Sequence, residues 1–420
     1  MKHSNVSPYR WVILFSIVPI IISTEMMWLS LAPISSLAEG FYGVSGIWIT
    51  LFTMSYMIMF VIFSIPASWV IDRYGYRFSL IIGAVLTAFF GMTRAYFADS
   101  FPLVMLSQFL IAIGQPFLLN ISTKVPANWF PISERATAAG ILTMAQYLGF
   151  ALPMVIAPVK AATSGLPSVF MTFAIIASIS AVISIVFSRE KPAIPPPGPK
   201  AEKEDFSIDS MKKLFQNKAY LLALLVCFVS IGVFNTILTL IESILLPRGI
   251  TSMEAGIIGA VFVIAGVVGA IILPILSDKL HIRVPFFVTS ITALVPLYLG
   301  LTLVSNFSFL LLIAGIAGFS IMGAAPILFQ HGSEVAYPTQ EGTSLGTILL
   351  MGQISGVAFV FLFEVLAAGT HSILPPMLAI IAITAAEIPI TLKMKESPLL
   401  TSQAPLWNEK EAQSGKRGAQ

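Results

Sequence analysis

The segment Asp72-Arg73-Tyr74-Gly75-Tyr76-Arg77 is a short charged loop between two long apolar stretches. Its outer charges recur 206 residues later as Asp278 and Arg283, again directly after an apolar stretch. Offsets of 206 or 207 residues also relate further pairs of similar residues, namely Gly43 and Gly249, Ser45 and Thr251, Pro131 and Pro338, Glu134 and Glu341, Gln146 and Gln353, and Gly149 and Gly356. A fixed offset of this kind indicates an internal repeat, so we predict two parallel halves of similar structure.

The stretches on either side of the loop belong to a chain of 420 residues that is 57% hydrophobic and 10% charged. An ordinary soluble domain is about 25% charged, so a water-soluble globule is excluded. The apolar blocks are long enough to cross about 30 Å of hydrocarbon as helices. They predict an all-α membrane protein with twelve transmembrane helices, at residues 11–36, 47–71, 79–97, 102–126, 136–158, 166–187, 220–246, 255–276, 284–304, 307–329, 345–368 and 373–392.

The charges exclude some partners and orient the chain. A net charge of +3 is too small to indicate a nucleic-acid partner. The first apolar block is too long for a cleavable signal peptide, so we expect it to be the first span. With both termini on one side, that side collects every Lys and Arg except Arg94, Lys160 and Arg248. The positive-inside rule therefore predicts a multi-pass protein of the cell membrane with both termini in the cytoplasm.

One long hydrophilic insert divides the spans six plus six. It contains the run Ile194-Pro195-Pro196-Pro197-Gly198-Pro199, a composition that does not bury a core. We therefore predict an N-terminal six-helix bundle at 1–187, a cytoplasmic linker at 188–218, a C-terminal six-helix bundle at 219–392 and a cytoplasmic tail at 393–420. Parallel six-span halves joined in this way are typical of the major facilitator superfamily, in which a midplane cavity opens alternately to either side.

The charged loop resembles the signature that this superfamily carries between spans 2 and 3. The resemblance implies that Asp72 contacts the positive N-terminal end of span 11 when the cavity is open to the outside. Ordinary positive-inside charges are the alternative interpretation. The residues predicted to form this cytoplasmic gate are Asp72, Arg73, Gly75, Arg77, Glu134, Asp278, Arg283 and Glu341.

Ionisable residues at membrane depth are functional candidates because their insertion is costly. Glu25 lies near the middle of span 1, and Trp28 projects from the same helical face. A carboxylate beside an indole suits an organic cation through charge pairing and a cation–π contact. A buried carboxyl group equally suits a proton carrier, and a purely structural hydrogen bond is the third possibility.

Other polar residues extend the candidate set. In span 4, Gln108, Gln115 and Ser122 recur every seven residues, so we expect one face that lines the cavity. Glu242 and Glu364 lie near the outer ends of spans 7 and 11 and are further proton-coupling candidates. Glu387 lies in span 12, which is usually peripheral, so we expect it to be structural.

Several segments resemble the feline leukaemia virus subgroup C receptor (FLVCR) family, collinearly over about residues 10–395. These segments are Glu39-Gly40-Phe41-Tyr42-Gly43-Val44, Gly114-Gln115-Pro116-Phe117-Leu118-Leu119, Trp129-Phe130, Gly232-Val233-Phe234, Tyr337-Pro338, Glu341-Gly342-Thr343-Ser344 and Gln353. The resemblance implies a carrier of a small metabolite. Members of that family are choline and ethanolamine facilitators, historically described as haem exporters, and a related branch carries pyridoxine with protons.

The resemblance implies particular site residues. The choline-binding tryptophan of the family falls on Trp28, and its span 4 glutamine falls on Gln115. A family tyrosine in span 7 is replaced here by Asn235, which leaves Phe234 as the neighbouring ring. Glu25 is a second departure, since the choline facilitators have a small neutral residue there. These differences leave a choline-like or ethanolamine-like cation and a pyridoxine-like amine as alternatives.

The sequence ranks other classes lower. A proton-coupled exporter of haem or another amphipathic compound is one alternative, although the histidines lie in termini, loops or span ends rather than at the site. No converging set typical of an enzyme is found, so no catalytic residue, cofactor or metal site is predicted. A non-transporting receptor or sensor is the other alternative. We expect a monomer in the lipid bilayer that binds a small-molecule substrate between spans 1, 4, 7 and 10, with Gln353 of span 11 as a further candidate.

Overall fold

The computed structural model describes residues 7–192, 214–336 and 341–397. Within these ranges it is all-helical, and twelve helical segments are long and apolar enough to cross a membrane. The predicted fold class is therefore confirmed. Most of the predicted linker, the end of the predicted tail, Tyr337-Pro338 and the Glu341 side chain lie outside the described residues.

The twelve spans alternate in direction. In chain order their helices are Tyr9–Trp28 with Ser35–Tyr42 (span 1), Gly46–Tyr74, Tyr76–Tyr96, Phe101–Leu119 with Ile121–Trp129 (span 4), Ile132–Ser164, Leu166–Phe187, Lys218–Thr239 with Ile241–Leu245 (span 7), Ser252–Leu280, Val284–Leu303, Phe307–Val335, Glu341–Thr370 and Leu374–Thr391. The side of the molecule where spans 6 and 7 are connected is called the linker face below. The opposite side is called the distal face.

Span 1 is broken, whereas the sequence predicted one continuous helix over 11–36. The first helix ends at Trp28, and a 3-10 turn at Ala32–Ile34 leads into the short helix Ser35–Tyr42. Pro33 has no N–H to continue the hydrogen-bond ladder. The Ser30 hydroxyl instead donates to the Met27 carbonyl oxygen at 3.1 Å. The break therefore lies directly beside the predicted substrate tryptophan.

Spans 4 and 7 are also interrupted, at points inside the predicted spans 102–126 and 220–246. Span 4 stops at Leu119 and resumes at Ile121, and the Asn120 amide between them donates to the Ser64 carbonyl at 3.0 Å. Asn120 lies one turn after Pro116, which lacks the N–H of an ordinary helical residue. Spans 1, 4 and 7 are therefore each built from two α-helical pieces.

The repeat predicted from the sequence is visible in the backbone and in the hydrogen bonds. Gly75 has a φ of 93°, and His281, 206 residues later, has a φ of 54°. Ser23 of span 1 donates a hydrogen bond to Ser180 of span 6 at 3.0 Å. The residues 207 positions later, Ser230 of span 7 and Glu387 of span 12, make the equivalent hydrogen bond at 3.2 Å. The two halves therefore place equivalent residues in equivalent turns and contacts.

Packing between the halves places the candidate site. Span 5 packs against span 8, and span 2 packs against span 11. The largest exposed side chains, including Phe89 and Trp69, point away from these contacts in the manner of lipid-facing residues. The candidate site residues lie at the interface between spans 1, 2, 4 and 5 and spans 7, 8 and 11.

Candidate functional site

Trp28 belongs to an aromatic cluster that joins the two halves. Its side chain is 3% exposed, and its indole N–H donates to the Thr53 carbonyl of span 2 at 3.0 Å. Its ring lies 6.2 Å from that of Tyr56 at an interplanar angle of 16° and 5.4 Å from that of Phe150 at 81°. The aromatic cluster consists of Trp28, Tyr56, Phe150, Phe234 and Phe262.

The aromatic cluster continues from the first half into the second. The Phe150 ring of span 5 lies 6.3 Å from the Phe234 ring of span 7, which stacks at 6.1 Å on Phe262 of span 8. Trp28 and Phe234, predicted as site residues, are thus brought together through Phe150. The sequence analysis did not identify Phe150, although it directly follows Gly149 of the repeat.

Glu25 and Gln115 form a buried polar pair beside the aromatic cluster. The Gln115 amide donates to both carboxyl oxygens of Glu25, at 3.2 and 3.1 Å, and Glu25 is 1% exposed. Among the described residues no cationic side chain pairs with this carboxyl group. A charge in this position is costly, so the group requires either a proton or a cation from elsewhere.

Asn235 and Gln353 occupy the second-half side of the interface. Asn235 is 3% exposed, and its amide nitrogen has no hydrogen-bond partner among the described residues. A Cβ at Gly356 of span 11 would lie 2.7 Å from that nitrogen and 2.5 Å from the sulfur of Met57 of span 2. Gln353 is half-buried one turn earlier on span 11. Neither side chain hydrogen-bonds with Glu25, Gln115 or Trp28 in the part of the chain described.

The Gln108 amide lies on the span 4 face that is predicted to line a cavity. Gln108 is fully buried, and its amide donates to the Met27 carbonyl at 3.5 Å and to the Phe52 carbonyl at 3.4 Å. Gln115 likewise points toward span 1. The seven-residue spacing therefore correctly predicted a shared face, but that face packs against neighbouring helices at Gln108.

Glu242 joins the two halves near the distal face. Its carboxyl group accepts hydrogen bonds from the Ser35 hydroxyl at 2.7 Å, from the Ser36 N–H at 2.9 Å and from the Ser36 hydroxyl at 2.6 Å. The Ser252 hydroxyl is a fourth donor. Because Ser35 begins the short helix Ser35–Tyr42, the carboxyl group also lies at a positive helix end.

Glu364 makes a second link between the halves near the distal face. It accepts a hydrogen bond from the Thr50 hydroxyl of span 2 at 2.6 Å. Glu242 and Glu364, predicted as proton-coupling candidates, therefore both contact hydroxyl groups of the first half. The set Ser35, Ser36, Thr50, Glu242 and Glu364 is called the distal gate below. Its hydrogen bonds all join the first half of the chain to the second.

Charged residues on the linker face pair within their own halves. Asp72 pairs with Lys124 at 3.0 Å, and Arg10 pairs with Glu134 at 2.9 Å. In the second half, Arg283 pairs with Asp278 at 3.3 Å and with Glu334 at 2.6 Å. The sequence analysis did not identify Lys124 or Glu334 as partners. The predicted contact of Asp72 with the start of span 11 involves a region that is only partly described, so it stays a prediction.

Two glutamates that the sequence analysis missed cap helices on the linker face. Glu190 accepts hydrogen bonds from the N–H groups of Tyr76 and Arg77, at 3.3 and 2.8 Å. Glu396, 206 residues later, accepts from the N–H groups of Arg283 and Val284. The repeat could have identified both glutamates, because they are separated by the same 206 residues as Asp72 and Asp278.

The capping carboxyl group of Glu190 also restricts residue 75 of the charged loop to glycine. A Cβ at Gly75 would overlap the Glu190 carboxyl group, and the φ of 93° independently disfavours a larger residue. Partial burial raises the pKa of Glu190 above its usual range, while the two amide donors oppose that shift. Arg73 is exposed beside this turn.

The structure has twelve candidate membrane spans in two repeated halves, and the candidate site residues lie where the halves meet. A family model described as Major Facilitator Superfamily matches residues 6–360. The chain belongs to that superfamily and is therefore a transporter by family. The solved structure of a bacterial homologue of the human lysosomal transporter Spinster aligns with a TM-score of 0.71 at 17% identity, covering 94% of this chain and 100% of that one.

Curated relatives extend the comparison to the predicted family. The choline/ethanolamine transporter FLVCR1 of Felis catus is 27% identical over 377 residues, covering 84% of this chain and 67% of that protein. The choline/ethanolamine transporter flvcr2b of Danio rerio is 27% identical, covering 83% and 76%. Solute carrier family 49 member A3 of Danio rerio is 29% identical, covering 86% and 80%. The predicted resemblance to the FLVCR family is confirmed.

Proposed function

We propose that this transporter carries a small organic cation of the choline or ethanolamine type by alternating access. The observation that carries the proposal is the position of Trp28, which is buried, held by its indole N–H and placed three residues from an uncompensated carboxyl group. A quaternary ammonium on a tryptophan face gains about 2 kcal/mol when desolvated. The names of the relatives agree with this substrate class.

The remaining polar groups supply recognition of the rest of the substrate. Gln115 uses its amide N–H groups on Glu25, so its carbonyl oxygen is available to accept from a substrate hydroxyl. The unpaired amide of Asn235 is available as a donor to a substrate oxygen. In this proposal Phe234 and Gln353 contribute contacts from the second half when the cavity closes on the substrate.

Proton-coupled transport of a pyridoxine-like amine is the second candidate. It is favoured by Glu25, which is buried without a cationic partner among the described residues. A carboxyl group in that position binds a proton when the substrate is neutral and releases it when water enters the cavity. The same residue therefore serves either as the ligand of a cation or as the carrier of a proton.

We place the linker face in the cytoplasm, because it carries most of the Lys and Arg residues of the chain. In this orientation the distal gate faces the outside. The contacts of Glu242 and Glu364 with the first half then describe a transporter closed to the outside. The proposal is a non-enzymatic carrier in the cell membrane that acts as a monomer.

The test is uptake of labelled choline, ethanolamine and pyridoxine into proteoliposomes, with and without a pH gradient. We expect saturable choline uptake by the wild type. Trp28→Ala should raise the KM roughly thirtyfold, since about 2 kcal/mol of cation–π contact is lost. Trp69→Ala is the matched control, because Trp69 is 59% exposed. Unchanged choline kinetics in Trp28→Ala would show that the site is elsewhere.

Glu25→Gln separates the two candidates. Choline flux that is indifferent to the gradient in the wild type, with a raised KM in Glu25→Gln, supports a facilitator with Glu25 as cation ligand. Pyridoxine flux that follows the gradient and loses this dependence in Glu25→Gln supports proton coupling. Absence of flux for all three compounds in the wild type would contradict both.

A further inference from the structure

Arg94 is a buried cation that the proposed transport mechanism does not use. The sequence analysis placed it among the few basic residues of the distal side, but its side chain is 0% exposed within the first six-helix bundle. The guanidinium carbon lies 4.7 Å from the ring centre of Phe170 and 5.5 Å from that of Phe52. No carboxylate pairs with it among the described residues. A charge that is this costly to bury requires a specific role.

The hydrogen bonds of Arg94 lead to the end of the first helix of span 1. One guanidinium nitrogen donates to the Met27 carbonyl at 3.3 Å, and the other lies 3.0 Å from the Met27 sulfur. Met27 belongs to the last turn of the helix that ends at Trp28, where carbonyl groups lack helical partners and carry partial negative charge. Arg94 therefore caps a helix end in the interior of the bundle.

Gln108 connects this cap to span 2. Its carbonyl oxygen accepts a hydrogen bond from Arg94, and its amide nitrogen lies 3.5 Å from the Met27 carbonyl and 3.4 Å from the Phe52 carbonyl. Met27 directly precedes Trp28, and Phe52 directly precedes Thr53, whose carbonyl accepts the indole N–H of Trp28. Arg94 and Gln108 thus bind the backbone directly before Trp28 and directly before Thr53, the donor and the acceptor of the indole hydrogen bond.

We propose that Arg94 and Gln108 are positioning residues that fix the Trp28 indole for substrate binding by capping the break in span 1. The expected effect on substrate binding rests on the proposed function, whereas the expected effect on the orientation of Trp28 does not. Without the cap, the last turn of the helix loses its charged donor, and the indole loses its fixed orientation relative to Thr53. Binding of substrate is weakened because the site is no longer preorganised.

The experiment measures Trp28 directly in the full-length chain without substrate. Acrylamide quenching of Trp28 is obtained as the difference between each protein and its Trp28→Phe counterpart. We expect Arg94→Met to increase this quenching severalfold and to shift the Trp28 emission to longer wavelength. Arg94→Lys keeps a positive donor but not the fork of the guanidinium, so we expect an intermediate value.

Transport kinetics supply the second readout. Loss of a hydrogen bond to a charged group weakens binding roughly tenfold. We therefore expect Arg94→Met to raise the choline KM about tenfold. The maximal rate should stay within about twofold of the wild type. Arg248→Met is the matched control. Arg248 also caps carbonyl groups, those of Val304 at 2.7 Å and Ile244 at 3.0 Å, but it does so in the other half of the chain.

The inference is overturned if quenching of Trp28 is the same in Arg94→Met as in the wild type, or if Arg248→Met increases it equally. Gln108→Leu provides the same measurement if Arg94→Met does not fold. If the wild type carries none of the three compounds, the proposed function fails on its own. The quenching experiment then still decides whether Arg94 positions Trp28.

Discussion

Gly149 of span 5 lies where the backbone crosses the Glu25 side chain. A Cβ at this position would be 2.5 Å from the Glu25 Cβ and 2.8 Å from the Ile22 carbonyl oxygen. Protein atoms do not approach this closely without a shift of the backbone. The absence of a side chain at residue 149 is therefore what allows spans 1 and 5 to pack around the Glu25–Gln115 pair.

We predict that Gly149→Val destabilises the protein by about 1–3 kcal/mol, the usual range for overpacking, and abolishes uptake by displacing Glu25. The measurement is thermal unfolding in detergent together with transport in proteoliposomes. Gly140→Val in the same span is the matched control, because a Cβ at Gly140 meets nothing within 4 Å. Equal effects of the two substitutions would contradict the role of the close contact.

The residues of the site differ in how far the sequence predicts them. The shared face of Gln108 and Gln115 follows from helical spacing, and the resemblance to the FLVCR family identifies Trp28. The burial of Arg94 could not be predicted, because hydropathy places a residue near a membrane surface but does not say whether its side chain points into the bundle. The hydrogen bond between Glu25 and Gln115 depends on how spans 1, 4 and 5 pack, and no local sequence pattern predicts that packing.

At the scale of elements, the positions of the spans follow from hydropathy, whereas their ends and breaks depend on tertiary contacts. The helix Ile132–Ser164 extends beyond the predicted 136–158, and Glu134 in its first turn pairs with Arg10 of the same half. Span 1 breaks at Ser30, where Arg94 and Gln108 bind the freed carbonyl group of Met27. Sequence analysis has no access to such partners.

The capping glutamates lead to a prediction for the linker face. Glu190→Ala and Glu396→Ala should each lower stability by about 1 kcal/mol, the usual effect of losing a helix cap, because two N–H groups of spans 3 and 9 lose their acceptor. Thermal unfolding of the purified protein is the measurement. Lys191→Ala, the exposed neighbour of Glu190, should have little effect. A capping role is contradicted if Lys191→Ala and Glu190→Ala are equally destabilising.

At the scale of the whole molecule, the sequence predicted the repeat, and the contacts show how the halves meet. On the distal face the halves are joined by hydrogen bonds to Glu242 and Glu364, whereas the described ion pairs of the linker face stay within each half. We predict that the gate on the linker face and the distal gate close in opposite conformations. Alternating access requires such a pair of mutually exclusive gates.

The distal gate gives the last prediction. Glu242 accepts four hydrogen bonds, three of them from the first half. Replacing the carboxylate by the neutral amide in Glu242→Gln weakens these bonds, and a loss of about 1–3 kcal/mol shifts the population toward a state open at the distal face roughly 5–150-fold. The shift is measured with Met154→Cys, because Met154 is fully buried against Gly256 and Gly259 of span 8.

A membrane-impermeant thiol reagent added to the distal face should label Met154→Cys faster when Glu242→Gln is present. The native Cys227 is buried and does not interfere. Glu254→Gln is the matched control: the half-buried Glu254 lies on the same side, near the start of span 8, and glutamine preserves its capping box. Equal labelling rates in Glu242→Gln and Glu254→Gln would show that Glu242 does not hold the distal face closed. Faster labelling in Glu242→Gln alone, reversed by saturating substrate, would couple the gate to the central site.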